Sequence, residues 1–93
     1  MEIQLVEYES KGMAVAKDND KGVGSMTYSI AGPELIIIDH TEVDPDYSGK
    51  GVGKQLLYKI VEMTRQKNIK VIPLCPFAAS MFRKLEEIRD VLK

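Results

Sequence analysis

The sequence predicts a mixed α/β fold: four antiparallel strands, a helix, a parallel fifth strand and a C-terminal helix. Three observations carry this. Short apolar-alternating runs fill residues 3–43 and are separated by turn residues. Val52, Leu56, Leu57, Ile60, Val61 and Thr64 then fall on one helical stripe. Finally, a short apolar run, Lys70–Leu74, leads into a second helical pattern that starts at Pro76.

Taken in order, Ile3 to Tyr8 alternates loosely and reads as the first strand. Glu9-Ser10-Lys11-Gly12 turns the chain, and Met13–Lys17 is the second strand. Asp18-Asn19-Asp20-Lys21-Gly22 is the strongest hairpin signal in the chain. Val23–Ile30 pairs back, and Ala31-Gly32-Pro33-Glu34 turns again. Leu35–Val43 is apolar on both faces in its first half, which predicts a central, covered strand stopped by Asp44-Pro45. On the first helix Lys54, Lys59, Glu62 and Arg65 oppose the apolar stripe, and Lys67-Asn68 closes it. Pro73 confines the fifth strand towards its end. The second helix is expected to run to about Leu92, with Phe77, Met81 or Phe82, Leu85, Ile88 and Leu92 as its stripe. A strand–helix–strand step of this length makes its strands parallel through a right-handed crossover.

With 93 residues there is room for one domain. A chain this short buries only about 60–65% of its extended surface, so its core is modest and a homodimer is compatible with it. Hydrophobic content of 44% and charged content of 29% describe an ordinary globular protein. A net charge of −1 gives no electrostatic reason to expect nucleic acid or a membrane surface as partner. The opening residues lack a basic stretch and a long apolar stretch, so no signal peptide is expected. The longest apolar run, Leu35–Ile38, is far too short to span a membrane. One cysteine excludes an internal disulfide, and with one histidine a zinc cluster is out of reach. These features point to a cytoplasmic enzyme or a small binding module, with no metal.

The chemistry-bearing stretch is Ser48-Gly49-Lys50-Gly51-Val52-Gly53-Lys54, between the fourth strand's carboxyl end and the first helix. Three alternating glycines cost helix stability and call for a reason. Free amides and the positive end of the helix dipole make this junction an anion site, and the two lysines add charge. A bland alternative is a tight turn, for which one or two glycines suffice. A Walker A loop is excluded, because Gly53-Lys54 is followed by Gln55 rather than Ser or Thr. A dinucleotide fingerprint is excluded by the G-x-G-x-G spacing and by a next strand that ends at Cys75-Pro76.

Ser48-Gly49-Lys50-Gly51-Val52-Gly53, preceded by Val43-x-Pro45, resembles motif A of the GNAT acyltransferase superfamily, Gln/Arg-x-x-Gly-x-Gly/Ala. Ser48 departs from that pattern. With "DHTEV" and "VIPLCPF", the resemblance covers about residues 23–85 and is to the small, compact GNAT-like group. It implies that residues 1–93 form one GNAT-like acyl-coenzyme A-binding domain. The loop residues Ser48, Gly49, Lys50, Gly51, Val52, Gly53 and Lys54 would hold the pyrophosphate of acetyl-CoA. Thr41, Glu42 and Val43 would pair with the pantetheine arm in a wedge between the fourth and fifth strands. The helices that such proteins insert after the first strand, and their two last strands, have no counterpart here. The acceptor site is therefore expected to be open, or completed by a second subunit.

Acetyl transfer to an amine needs a base, an oxyanion donor and an acid for the leaving thiolate. The resemblance implies a fourth-strand glutamate as base, which here is Glu42. His40, two residues earlier, lies on the same face. The tyrosine that supplies the acid in the family falls at Phe82, which has no proton to give. Cys75, at an N-cap before Pro76, offers a thiol that could accept the acyl group and pass it on to an amine. A buried core cysteine is the plain alternative. Two functions remain open from the residues alone: an acetyl-CoA-dependent N-acetyltransferase acting on an unidentified amine, or a non-catalytic acyl-CoA-binding or protein-interaction module.

Overall fold

A computed structural model describes residues 1–93. Five strands form one sheet in sequence order: β1 (Glu2–Tyr8), β2 (Lys11–Asp18), β3 (Lys21–Gly32), β4 (Leu35–Val43) and β5 (Lys70–Pro73). The first four pair antiparallel and β4 pairs parallel with β5, as the order of elements requires. Helix α1 (Val52–Lys67) makes the crossover, and α2 (Pro76–Lys84) follows β5. Short 3-10 turns cover Pro45–Tyr47 and Glu86–Val91.

The hairpins follow from their turn residues. Asn19 and Asp20 both take positive φ, 50° and 69°, between the paired Asp18 and Lys21. That is the primed two-residue turn whose twist matches the flanking strands, and Asn and Asp tolerate it. Glu9, at φ 55°, makes the equivalent bend between Tyr8 and Lys11.

Both helices lie on one face of the sheet. Ala14, Ala16, Met26, Tyr28, Ile36 and Ile38 alternate onto that face and are fully buried there. Leu56, Leu57, Ile60 and Val61 meet them from α1, and Ala78 and Phe82 from α2. The small Gly12 leaves space for the Tyr28 ring, whose hydroxyl donates to Glu7 Oε2 at 2.7 Å. Burial and that carboxylate push the Tyr28 phenol far above its ordinary range. The other face of the sheet carries no helix. No helix of the chain is long and apolar enough to cross a membrane.

The second helix is shorter than its periodicity predicts. It ends at Lys84 rather than near Leu92, because Leu85 leaves helical geometry at φ −109°, ψ 88°. Arg89 then reaches back: its Nε donates to the Phe82 carbonyl at 2.8 Å, and its Nη2 donates to the Arg83 carbonyl. These bonds satisfy helix-end carbonyls that a continuing helix would have used. Ile88 and Val91 fill the core from the 3-10 turn, whereas Phe77 and Leu92 of the expected stripe are exposed. Leu92 bridges in parallel to Val71, and Lys93 N donates to the Val71 carbonyl at 3.0 Å. The open edge of β5 is thus partly covered by the chain's last residues.

Candidate active site

The site is built where β4 and β5 part. Their ladder runs only from Leu35–Lys70 to Ile38–Pro73. Beyond it, Leu74 N and Cys75 N both donate to the Ile38 carbonyl, each at 3.1 Å, and the chain turns away into α2. Residues 39–43 of β4 are left with one unpaired edge, which opens a wedge.

A bulge sits at the mouth of that wedge. Thr27 pairs with His40 and Tyr28 with Ile38, so Asp39 is an extra residue in β4. One extra residue inverts the alternation that follows. Ile36 and Ile38 face the helices before the bulge, and Thr41 faces Cys75 after it. His40 and Glu42 are exposed on the sheet's other face. The Glu42 carbonyl oxygen lies 3.2 Å from where a Gly24 Cβ would stand, so its main chain is turned towards β3. By alternation, the Thr41 and Val43 main chains face the open edge.

Cys75 is the N-cap of α2, followed by Pro76 at the first helical position. Its Sγ is 3.2 Å from Thr41 Oγ1 in a contact where either atom can donate. Cys75 is only 5% exposed, at the inner end of the wedge. Sequence reasoning placed Cys75 at this cap but assigned Thr41 a main-chain role only; its hydroxyl contact depends on the bulge and has no local signal.

The glycine loop closes the other end. Gly49 and Gly51 both sit at φ 77°, a left-handed conformation that a side chain strains. Gly51 is the N-cap of α1 and offers no side-chain cap. The N–H groups of Gly49, Gly51, Val52, Gly53 and Lys54 find no acceptor in the protein, the first return bond being Gln55 N to the Gly51 carbonyl. Aligned amides with the helix dipole behind them attract an anion. A cavity of about 390 Å³ lies against them, lined by Val43, Ser48, the three glycines, Lys54, Phe77 and Met81. Lys50 and Lys54 lie over the rings of Tyr47 and Tyr58, at 5.2 and 5.7 Å, and neither is paired with a carboxylate. Gly53 has a second duty: a Cβ there would stand 2.5 Å from the Phe77 ring, so the glycine lets α2 close onto α1.

No tyrosine replaces Phe82, which is buried in the core. Tyr28, Tyr47 and Tyr58 donate their hydroxyls to Glu7, Asp18 and Glu87. Those bonds push the phenols of Tyr47 and Tyr58 up, and burial, with the Glu7 bond added, pushes that of Tyr28 up, which makes all three poorer acids. Tyr8 is 70% exposed on the outer face. There it borders a second cavity, of about 600 Å³, whose lining includes Asp39, His40 and Leu74. Asp39 is the residue sequence reasoning missed; the bulge that brings it beside His40 is set by pairing with β3. Glu42 lines a different hollow, with Ser25 and Val15. The structure thus joins Thr41 to Cys75 and Asp39 to His40, and it keeps the Glu42 side chain on the face away from the thiol.

A mixed sheet split between its fourth and fifth strands, with bare amides at the helix start below the split, defines an acyltransferase-like architecture. Residues 12–91 match the family model described as GCN5-related N-acetyl-transferase, and the chain belongs to that family. Among solved structures, a GCN5-like protein from Staphylococcus aureus is 34% identical. This chain covers 87% of it over 97% of its own length, with a TM-score of 0.72. The ribosomal-protein-alanine N-acetyltransferase from Brucella melitensis shares the fold at 21% identity and TM-score 0.67, with 92% of this chain covering 64% of that one. A Bacillus anthracis protein solved in complex with acetyl coenzyme A shares it at 18% identity and TM-score 0.65, with 85% of this chain covering 47% of that one. No curated protein sequence matches the chain. By family, the chain is an N-acetyltransferase.

Proposed function

We propose that the chain transfers the acetyl group of acetyl-CoA to an amine, with Cys75 as the covalent way-station. The observation that carries this is the position of the thiol. Cys75 is the N-cap residue of α2 and its sulfur lies within 3.2 Å of the Thr41 hydroxyl, while Tyr28, Tyr47 and Tyr58 donate to carboxylates and Tyr8 stands on the outer face. The residues present fit the donor. Its diphosphate matches the unpartnered amides of Gly49, Gly51, Val52, Gly53 and Lys54, with Ser48 and Lys54 lining the cavity and Lys50 in the same loop. The Thr41 and Val43 main chains are free to pair with an extended arm, and Glu42 extends the same strand. Residues 1–93 act as one acyl-CoA-binding domain in this reading.

In the first half-reaction the Cys75 sulfur bonds to the thioester carbonyl carbon. The bond from that carbon to the donor's sulfur breaks, and the departing sulfur takes up the proton that the Cys75 thiol gives up. The Thr41 hydroxyl, 3.2 Å from the sulfur, is placed to hydrogen-bond it as the bond forms. In the second, an amine nitrogen bonds to the acetyl carbon, the carbon–Sγ bond breaks, and the electron pair returns to Sγ. His40, which borders the opening where the strands part, is the base for the amine, while the Glu42 side chain lines a different hollow.

Incubation with acetyl-CoA followed by intact-mass measurement tests this. The expected result is a gain of about 42 Da, one acetyl group, that is absent in Cys75→Ala. An unmodified wild-type chain that binds acetyl-CoA and releases no thiol with any amine would contradict it and leave a binding module.

A further inference from the structure

We infer that the acceptor is a small monoamine with an apolar body, bound in the outer-face hollow with its ammonium beside Asp39; this rests on the transferase reading above. The hollow spans the sheet. Register places Val6, Met13, Thr27 and His40 in one row across β1 to β4, and Leu74 closes the far side. Val6, Tyr8 and Leu74 are three of the six large apolar side chains the molecule exposes, and all three border this one cavity. Apolar area exposed in one place, rather than scattered, marks a binding surface. At about 600 Å³ the hollow is the size of small-molecule sites.

Its charges choose the ligand. Asp39 is half-buried on the floor, and the Ser29 hydroxyl donates to its Oδ2 at 2.7 Å. No cation pairs with it. A carboxylate partly withdrawn from water without a counter-ion favours an incoming ammonium. Lys11 is the only other ionised residue lining the hollow, so a second ammonium would meet repulsion instead of a partner. That balance selects one positive charge on an apolar frame and disfavours polyamines.

The hollow borders the opening that leads to the thiol, and the amine reaches the acetyl group through it. Asp39 follows Ile38, and Leu74 precedes Cys75, so the hollow and the thiol lie on opposite sides of the opening where the strands part. The bound ammonium passes one proton to the His40 imidazole. Its nitrogen then bonds to the acetyl carbon on Cys75, the carbon–Sγ bond breaks, and Sγ takes the nitrogen's second proton. The products are the N-acetyl amine and free Cys75 thiol.

NMR titration of the full chain with phenethylamine, and separately with spermidine, tests the site without any acetyl donor. Phenethylamine should shift the amides of Thr27, His40 and Leu74, and spermidine should leave them in place. Asp39→Asn should weaken phenethylamine binding about tenfold or more, the scale of a lost charge-assisted hydrogen bond. Tyr8→Ala, at a side chain too exposed to support the fold, should weaken it by a smaller factor. The inference is overturned if spermidine binds equally well or if the hollow ignores phenethylamine. It is also overturned if the same amides shift with protein concentration alone, which would mean that a second copy occupies the face. The two readings fail separately: acetylated Cys75 with an unresponsive hollow sinks this inference alone, and a responsive hollow with an unacetylated Cys75 sinks the covalent route alone.

Discussion

Two glycines of the loop, Gly51 and Gly53, make the sharpest prediction. Gly51 sits at φ 77° with nothing within 4 Å of the place a Cβ would occupy. Gly51→Ala therefore meets no steric wall in the protein; its cost is the left-handed backbone, about 1–2 kcal/mol. In a chain of this length about 1 kcal/mol lowers Tm by roughly 4–8 °C. The methyl, or the backbone shift that relieves it, disturbs the amides that are to hold the diphosphate. Losing one or two hydrogen bonds to a charged group, at about 1.5–3 kcal/mol each, weakens coenzyme A binding by roughly 10-fold to 100-fold or more. Gly53→Ala differs. Its Cβ collides with the Phe77 ring, which is 38% exposed and free to swing out. Overpacking of about 1–3 kcal/mol is then offset by a gain of about 1 kcal/mol in helix propensity. Urea denaturation and calorimetric titration with coenzyme A separate these quantities. Unchanged affinity in a folded Gly51→Ala variant would refute the reasoning, because the amides would then have no part in binding.

Two further outcomes follow from the fold. Gly12→Ala drives a Cβ into the Tyr28 ring, which is fully buried and tied to Glu7, so urea denaturation should show a loss of about 1–3 kcal/mol. The hydrogen-bonded guanidinium of Arg65, 2.7 Å from Asp90 Oδ1 and 2.9 Å from Oδ2, holds the Asp90 carboxyl below its usual range. A depressed folded pKa gives stability that is present above the ordinary aspartate range, about 3.9, and is lost as pH falls through the folded value. The stability gap between wild type and Asp90→Asn should therefore be constant near neutrality and vanish in acid; a gap that widens in acid would contradict the pairing.

Much of the fold was legible because its signals are local. Asn19-Asp20 names its own turn, the Val52–Thr64 stripe names its helix, and the β4–α1–β5 order dictates the parallel pair. The glycine loop was legible for the same reason, since its spacing and position are both in the sequence. Three things were not. The bulge at Asp39 is a matter of register between β3 and β4, so the placing of Asp39 and His40 in one hollow and the contact of Thr41 with Cys75 could not be read from alternation. The end of α2 at Lys84 comes from Arg89 reaching back to two carbonyls, although apolar residues continue at helical spacing past it. The contact of Phe77 with Gly53 joins two helices that periodicity treats one at a time.

The most direct measurement is a nitrogen-15 NMR titration of the whole chain with coenzyme A and, in parallel, with pantetheine, which lacks the diphosphate. Coenzyme A should move the amides of Gly49, Gly51, Val52, Gly53 and Lys54 as well as those lining the wedge, while pantetheine moves only the wedge. Loop amides that stay still while coenzyme A binds, or identical shifts from both ligands, would contradict the account at its root.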